Sequence, residues 1–168
     1  AHYITLLSHK YPNDKILVAY NSITGITDTI NLLDEGIRKE CGIYCSENSR
    51  DNAGGYYFEF ENDQLQKKIN FITCTYFVGI DIQDRYHLIT VSDVSRLFSV
   101  LAIDKLTQIA GRCRHKDKLL SETVIYNTSQ KTVDNEKDKY ELLETIYRMT
   151  KWLEKDRIRI EKFFPDVA

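Results

Sequence analysis

Residues 15–20, Lys-Ile-Leu-Val-Ala-Tyr, run through five apolar side chains without a polar interruption. A short segment that is apolar at every alternation suits a strand covered on both faces, the usual condition in a parallel sheet. Asn21, Ser22 and Thr24 follow, with side-chain oxygens able to cap a helix. Ile26, Ile30, Leu33 and Ile37 then recur at spacings of four, three and four, the stripe of a core-facing helix. A buried strand feeding straight into such a helix opens a crossover unit, which points to an α/β architecture.

The alternation continues along the chain. Gly42-Ile43-Tyr44-Cys45 reads as a second strand, residues 70–75 (NFITCT) and 86–91 (YHLITV) as two more, and residues 124–126 as a last short one. Residues 46–55 are polar and end in Gly54-Gly55, so they read as an exposed loop, while residues 56–60 suit either a strand or a helix start. Ile103, Leu106 and Ala110 form an apolar helical face that ends near Gly111. Over 135–163 the pattern is helical, with Tyr140, Leu143, Ile146, Tyr147 and Leu153 on a broad apolar side. The expected fold is therefore α/β: a mainly parallel sheet with helices on both faces and a long C-terminal helix. One domain is expected over 1–130, with a helical extension over 131–168 packed on it or on a domain not included here.

Composition narrows the function. With 42% hydrophobic and 29% charged residues the chain is an ordinary soluble globular one. Its net charge of −2 supplies no general attraction to polyanions, so any nucleic-acid contact must be made by a few placed groups. No apolar run approaches a membrane span and no basic-then-apolar leader is present, so a cytoplasmic protein with no membrane partner is expected. Beginning at Ala1, the chain reads as an excised or processed piece of something longer. Cys41, Cys45, Cys74 and Cys113 match no zinc framework, and reduced, mostly buried thiols with no metal site are expected.

In open parallel sheets ligands collect at the carboxyl ends of the strands. Three segments are expected there: residues 21–24 after the first strand, residues 73–82 after the NFITCT strand, and Gln108-Ile109-Ala110-Gly111-Arg112-Cys113-Arg114 on the helix after YHLITV. Gln108 and Arg112 are four residues apart and share a helix face, with His115 three further on. Arginine stays charged and presents a rigid fork to phosphate oxygens. A basic helix end favoured by the macrodipole has the same appearance, and the segment carries no base or nucleophile, so it amounts to half of a site.

Order and spacing make the pattern more specific. Thr73, then Gly79-Ile80-Asp81-Ile82 six residues later, then Gln108-x-x-Gly111-Arg112, resembles motifs V and VI of superfamily-two helicases. The Lys15–Tyr20 strand with Asn21-Ser22 is similar to the motif IV region of that family. The resemblance implies the C-terminal RecA-like domain of a two-domain motor, the second of the pair. It implies that Gln108, Arg112 and Arg114 reach ATP phosphates across an interdomain cleft, and that Gly79 and Asp81 link the nucleotide to the nucleic-acid track. It also implies that Thr73, with Ser22 beside it, contacts a nucleic-acid phosphate. ATP and Mg2+ are then held mainly by an N-terminal RecA-like domain of the same parent chain.

Two departures qualify the likeness. Motif VI usually places its second arginine four residues after the glycine, where this chain has His115, so either Arg114 or Arg112 alone is the finger. Val78 replaces the arginine that DEAD-box proteins often carry before this glycine, which points toward DNA helicases and DNA rather than RNA. None of the seven glycines is followed by lysine, so a Walker A loop is absent. Asp34-Glu35 reads as a solvated helix face rather than a Walker B pair. Tyr44, Tyr76 and Tyr126 read as core; Lys67-Lys68 and Lys116–Lys118 read as solvated faces. The alternative function is a degenerate helicase-like scaffold, for which the His115 spacing speaks. From the missing phosphate loop, the purified chain is predicted to have negligible ATPase activity; Arg112-dependent phosphate release would contradict this.

Overall fold

β1 (Lys15–Tyr20) is paired in parallel on both edges, with β3 (Ile69–Ile72) through Ile16↔Ile69 to Ala19↔Ile72 and with β4 (Tyr86–Ser92) through Lys15↔Tyr86 to Tyr20↔Val91. β2 (Cys41–Tyr44) adds parallel to β3, and β5 (Leu119–Tyr126) adds parallel to β4. The strand order is β2-β3-β1-β4-β5. The structure is a computed structural model; it describes residues 1–111 and 117–127, together with Glu144 and Lys151. The chain divides into two compact units, Ala1–Thr128 and Ser129–Ala168. The helix expected over 135–163 lies outside the described residues except at Glu144 and Lys151, which are each in a helical turn.

Parallel strands need crossovers, and these cover both faces of the sheet. Ile16, Val18 and Tyr20 of β1 face one side, where α1 (His2–Lys10) and α2 (Ile23–Asn31) bring Ile4, Leu7, Ile26 and Ile30. Leu17 and Ala19 face the other side, with Leu65, Phe77, Ile82 and with Ile109 of α5 (Ile103–Ala110). The uninterrupted apolar run is thus sorted by strand alternation into two cores.

Several local expectations change. α1 was not evident in the sequence. It closes the first core, and Lys68 Nζ donates to the Ser8 and Tyr11 carbonyls at 3.3 Å and to that of Pro12, capping its C-terminal end. Lys68 is therefore an anchor, not a solvated face. The Ile26–Ile37 stripe is not one helix but α2 and α3 (Glu35–Arg38). The break is filled by Arg38, whose guanidinium donates to the Asn31 and Leu33 carbonyls at 2.9 Å. Asp34 and Glu35 are exposed, and Glu35 pairs with Lys39 at 2.6 Å, as a solvated face should. The 46–55 loop contains α4 (Arg50–Ala53), which buries Ala53 in the first core. Residues 56–60 are neither strand nor helix start: Tyr57 makes one parallel bridge to Ile43.

Asn70 pins the entry to β3. It is fully buried; its Oδ1 accepts from Tyr44 Oη at 3.2 Å and Lys67 N at 3.0 Å, and its Nδ2 donates to the Lys67 carbonyl at 2.6 Å. Tyr44 Oη in turn accepts from Gln66 N at 2.7 Å. The isosteric apolar substitution Asn70→Leu leaves buried donors without an acceptor, so urea unfolding is expected to show a loss of about 2–4 kcal/mol. A loss below about 0.5 kcal/mol would show that the pin is not needed.

Candidate functional site

Connections leave β1 toward β2 and leave β4 toward β5, in opposite directions, so the topological switch lies between the carboxyl ends of β1 and β4. Tyr20, the last residue of β1, reaches across it: its hydroxyl donates to Asp93 Oδ2 at 2.8 Å. That reach depends on Gly25. A Cβ there would sit 2.4 Å from the Tyr20 ring, so only glycine lets α2 pass this close. Burial, followed by the bond to Asp93, pushes the Tyr20 phenol up to about 12.

Asp93 collects most of the edge. Its Oδ1 accepts from Ser95 Oγ at 2.5 Å, Ser95 N at 3.0 Å and Asn127 Nδ2 at 2.7 Å. Asn127 Oδ1 accepts from Val94 N at 2.7 Å, tying β5 to the β4 loop. Arg96 bridges Asp93, 3.5 Å away, and Asp28 at 2.8 Å. Hydrogen bonding from Ser95, opposed by desolvation and helped by Tyr20 and Asn127, holds the Asp93 carboxyl down at about 2.

Asn21 ties three loops. Its Oδ1 accepts from Cys74 N at 3.1 Å, in the loop after β3, and its Nδ2 donates to the Phe98 carbonyl at 2.6 Å, in the loop after β4. Sequence reasoning assigned neither Asn21 nor Asp93 a site role. The Ser-Asp-x-Ser run after an apolar strand was the available signal for Asp93, since an aspartate there builds an Asx turn.

Ser22 and Thr73 lie at this carboxyl edge as expected. Ser22 Oγ accepts from Gly25 N at 3.1 Å, so its hydroxyl caps α2. Thr73 is only 6% exposed; its N–H donates to the Tyr44 carbonyl at 3.2 Å and its carbonyl accepts from Tyr76 N at 2.9 Å. Cys74 is exposed, unlike buried Cys41 and Cys45, and all three are free thiols; Cys113 lies outside the described residues. Tyr126 is likewise not core but 70% exposed, whereas Tyr44 is fully buried.

The remaining predicted residues are elsewhere. The segment after Thr73 runs from the carboxyl end of β3 to the amino end of β4, anchored by buried Phe77 and Ile82. Gly79 takes the left-handed φ of +84°, which favours glycine. Half-buried Asp81 follows close to the amino edge, where Asp84 Oδ1 meets Lys15 Nζ at 2.8 Å and Asp84 Oδ2 accepts from Leu65 N at 2.6 Å. α5 also runs back toward that edge: Ile109 packs with Ile82 and Tyr86, and Ala110 and Leu119 border the same cluster. Gln108 is half-buried there, and its Oε1 accepts from Lys105 Nζ at 3.1 Å. The expectation that all three segments gather at the carboxyl ends is therefore corrected. A helix joining parallel neighbours must return its C-terminus to the amino side. Arg112, Arg114 and His115 lie outside the described residues.

Among the described residues no group of three or more His, Cys, Asp or Glu side chains could hold a metal ion, and no helix is long and apolar enough to cross a membrane. No family model and no curated protein matches the chain.

The Asp93 carboxylate gives a pH test. Its folded value lies below the usual 3.8, so its contribution is fully present above about pH 4 and lost as pH falls through about 2. The thermal-midpoint gap between wild type and Asp93→Asn is expected to narrow across that window. A gap that stays constant from pH 5 to about 2 would contradict the assignment.

Proposed function

We propose that this chain is the second RecA-like motor domain of an ATP-dependent superfamily-two nucleic-acid helicase or translocase. One observation carries the reading. The segment bearing both Thr73 and Gly79–Asp81 begins at the carboxyl end of β3 and finishes at the amino end of β4, fastened to the core by Phe77 and Ile82. A motif that relays between a nucleic-acid track and a nucleotide needs that reach and that stiffness. The order of Thr73, Gly79-x-Asp81 and Gln108-x-x-Gly111-Arg112 is the sequence counterpart.

On this reading the carboxyl edge, with Ser22 and Thr73, follows a nucleic-acid backbone through hydroxyls and main-chain amides, which grip phosphate without reading bases. DNA is favoured over RNA by Val78. The other end, with Asp81 and Gln108, faces the companion N-terminal RecA-like domain. That domain holds ATP and Mg2+, because this chain has no phosphate loop. Arg112, with Arg114 behind it, supplies positive charge to the developing transition state, a contribution of roughly 10³–10⁵ in rate for a finger of this kind.

The parent protein provides the test. A G-x-x-x-x-G-K-[ST] sequence is expected upstream of Ala1. Arg112→Ala is expected to lower nucleic-acid-stimulated ATPase by about 10³-fold or more while oligonucleotide affinity stays within about twofold. Unchanged turnover would rule out the finger.

A further inference from the structure

Phe98 is the most exposed large apolar side chain among the described residues, at 89%, yet the loop beneath it is fixed. Its carbonyl accepts from Asn21 Nδ2 at 2.6 Å. The next residue, Ser99, is fully buried, and its hydroxyl is shared between the Asp93 carbonyl at 3.0 Å and the Arg96 carbonyl at 2.8 Å. Asp93 is itself held by Ser95, Tyr20 and Asn127. The main chain is thus tied on both sides of a ring that faces solvent, an arrangement that removes most of the ordering cost of using that ring as a platform.

We propose that Phe98 stacks on an unpaired base of a single nucleic-acid strand lying along the carboxyl edge, and that Asn21 is the positioning residue that sets the ring against Thr73. The inference rests on the helicase reading and deepens it by naming a single strand as the ligand of this edge. Asn21 uses its donor on Phe98 and its acceptor on Cys74, the residue after Thr73, so one carboxamide spaces the ring from the backbone-gripping segment. A ring face accepts any base, which suits a track that grips phosphate without reading sequence. The surroundings favour this occupant: Asn21, Ser95, Arg96 and Asp28 are polar, whereas the centre of a protein interface is depleted of charge.

The test uses the full 168-residue chain and a single-stranded oligothymidine carrying one 2-aminopurine, with a fully paired duplex as control. Wild type is expected to bind the single strand and quench the probe. Phe98→Ala should weaken binding about 5- to 100-fold and abolish quenching, Phe98→Trp should retain both, and the duplex should be insensitive to either. Asn21→Ala should reduce quenching while secondary structure, followed by circular dichroism, is unchanged. Binding that falls with Thr73→Ala but ignores Phe98→Ala would overturn the stacking role and leave the motor reading standing. Loss of quenching with Tyr126→Ala instead, or a dimer that dissociates on Phe98→Ala, would equally overturn it. No oligonucleotide binding at all would sink the motor reading with it.

Discussion

Parallel pairing of β1 on both edges is the constraint from which the rest of the molecule follows. A strand hydrogen-bonded to β3 on one side and β4 on the other must be entered and left by crossovers, so every connection runs the length of the sheet. The consequence is polarity. Residues just after strands gather at one end and residues just before strands at the other, however close they stand in sequence. Thr73 and Asp81 are eight positions apart yet serve opposite ends. The same rule returns Gln108 to the amino side, because α5 has to deliver the chain to the start of β5.

At the carboxyl end the sheet leaves polar groups that its own ladder cannot satisfy, and side chains complete the bonding. Asn21 joins the loops after β1, β3 and β4; Asp93 joins β1, β4 and β5 through Tyr20 and Asn127. Gly25 is what permits the second arrangement, since any Cβ would displace the Tyr20 ring from its path to Asp93. These bonds convert a set of turns into a stiff rim. A rim of this kind can transmit a displacement from one loop to its neighbour, which separate flexible loops cannot.

Much of the frame was legible in the sequence because it is written in apolar periodicity. The KILVAY run, the NFITCT and YHLITV strands and the α5 stripe carry their burial in their own residues. What escaped was held by interactions between distant positions. α1 has too few apolar residues to declare itself and is stabilised by packing Ile4 and Leu7 on the sheet and by Lys68 from sixty residues away. The split of the Ile26–Ile37 stripe depends on where the Arg38 guanidinium can reach, and a periodic stripe does not encode that. The site was legible as a list of residues but not as an arrangement. Ser22 and Thr73 were placed at the correct end, while Gly79, Asp81 and Gln108 were assigned by adjacency to strands rather than by the direction of the crossover. Asn21 and Asp93 were hidden because their partners, Phe98 and Asn127, lie 77 and 34 positions away.

Charge decides what kind of binding this rim supports. Its one described arginine, Arg96, is already shared between Asp28 and Asp93, and the whole chain carries a net −2. Long-range attraction of a polyanion therefore does not originate at this edge, and counterion release contributes little here. What the edge offers instead is short-range: hydroxyls, main-chain amides and a ring whose backbone is fixed. Such groups discriminate geometry, because a hydrogen bond or a stacked face is lost within about an ångström of misplacement, whereas a screened charge is felt out to about 10 Å. A motor that must release and regrip a strand at each step is better served by contacts of the first kind. They can be broken by a small movement of the relay segment between Thr73 and Asp81, while a cationic groove would hold the strand through the whole cycle.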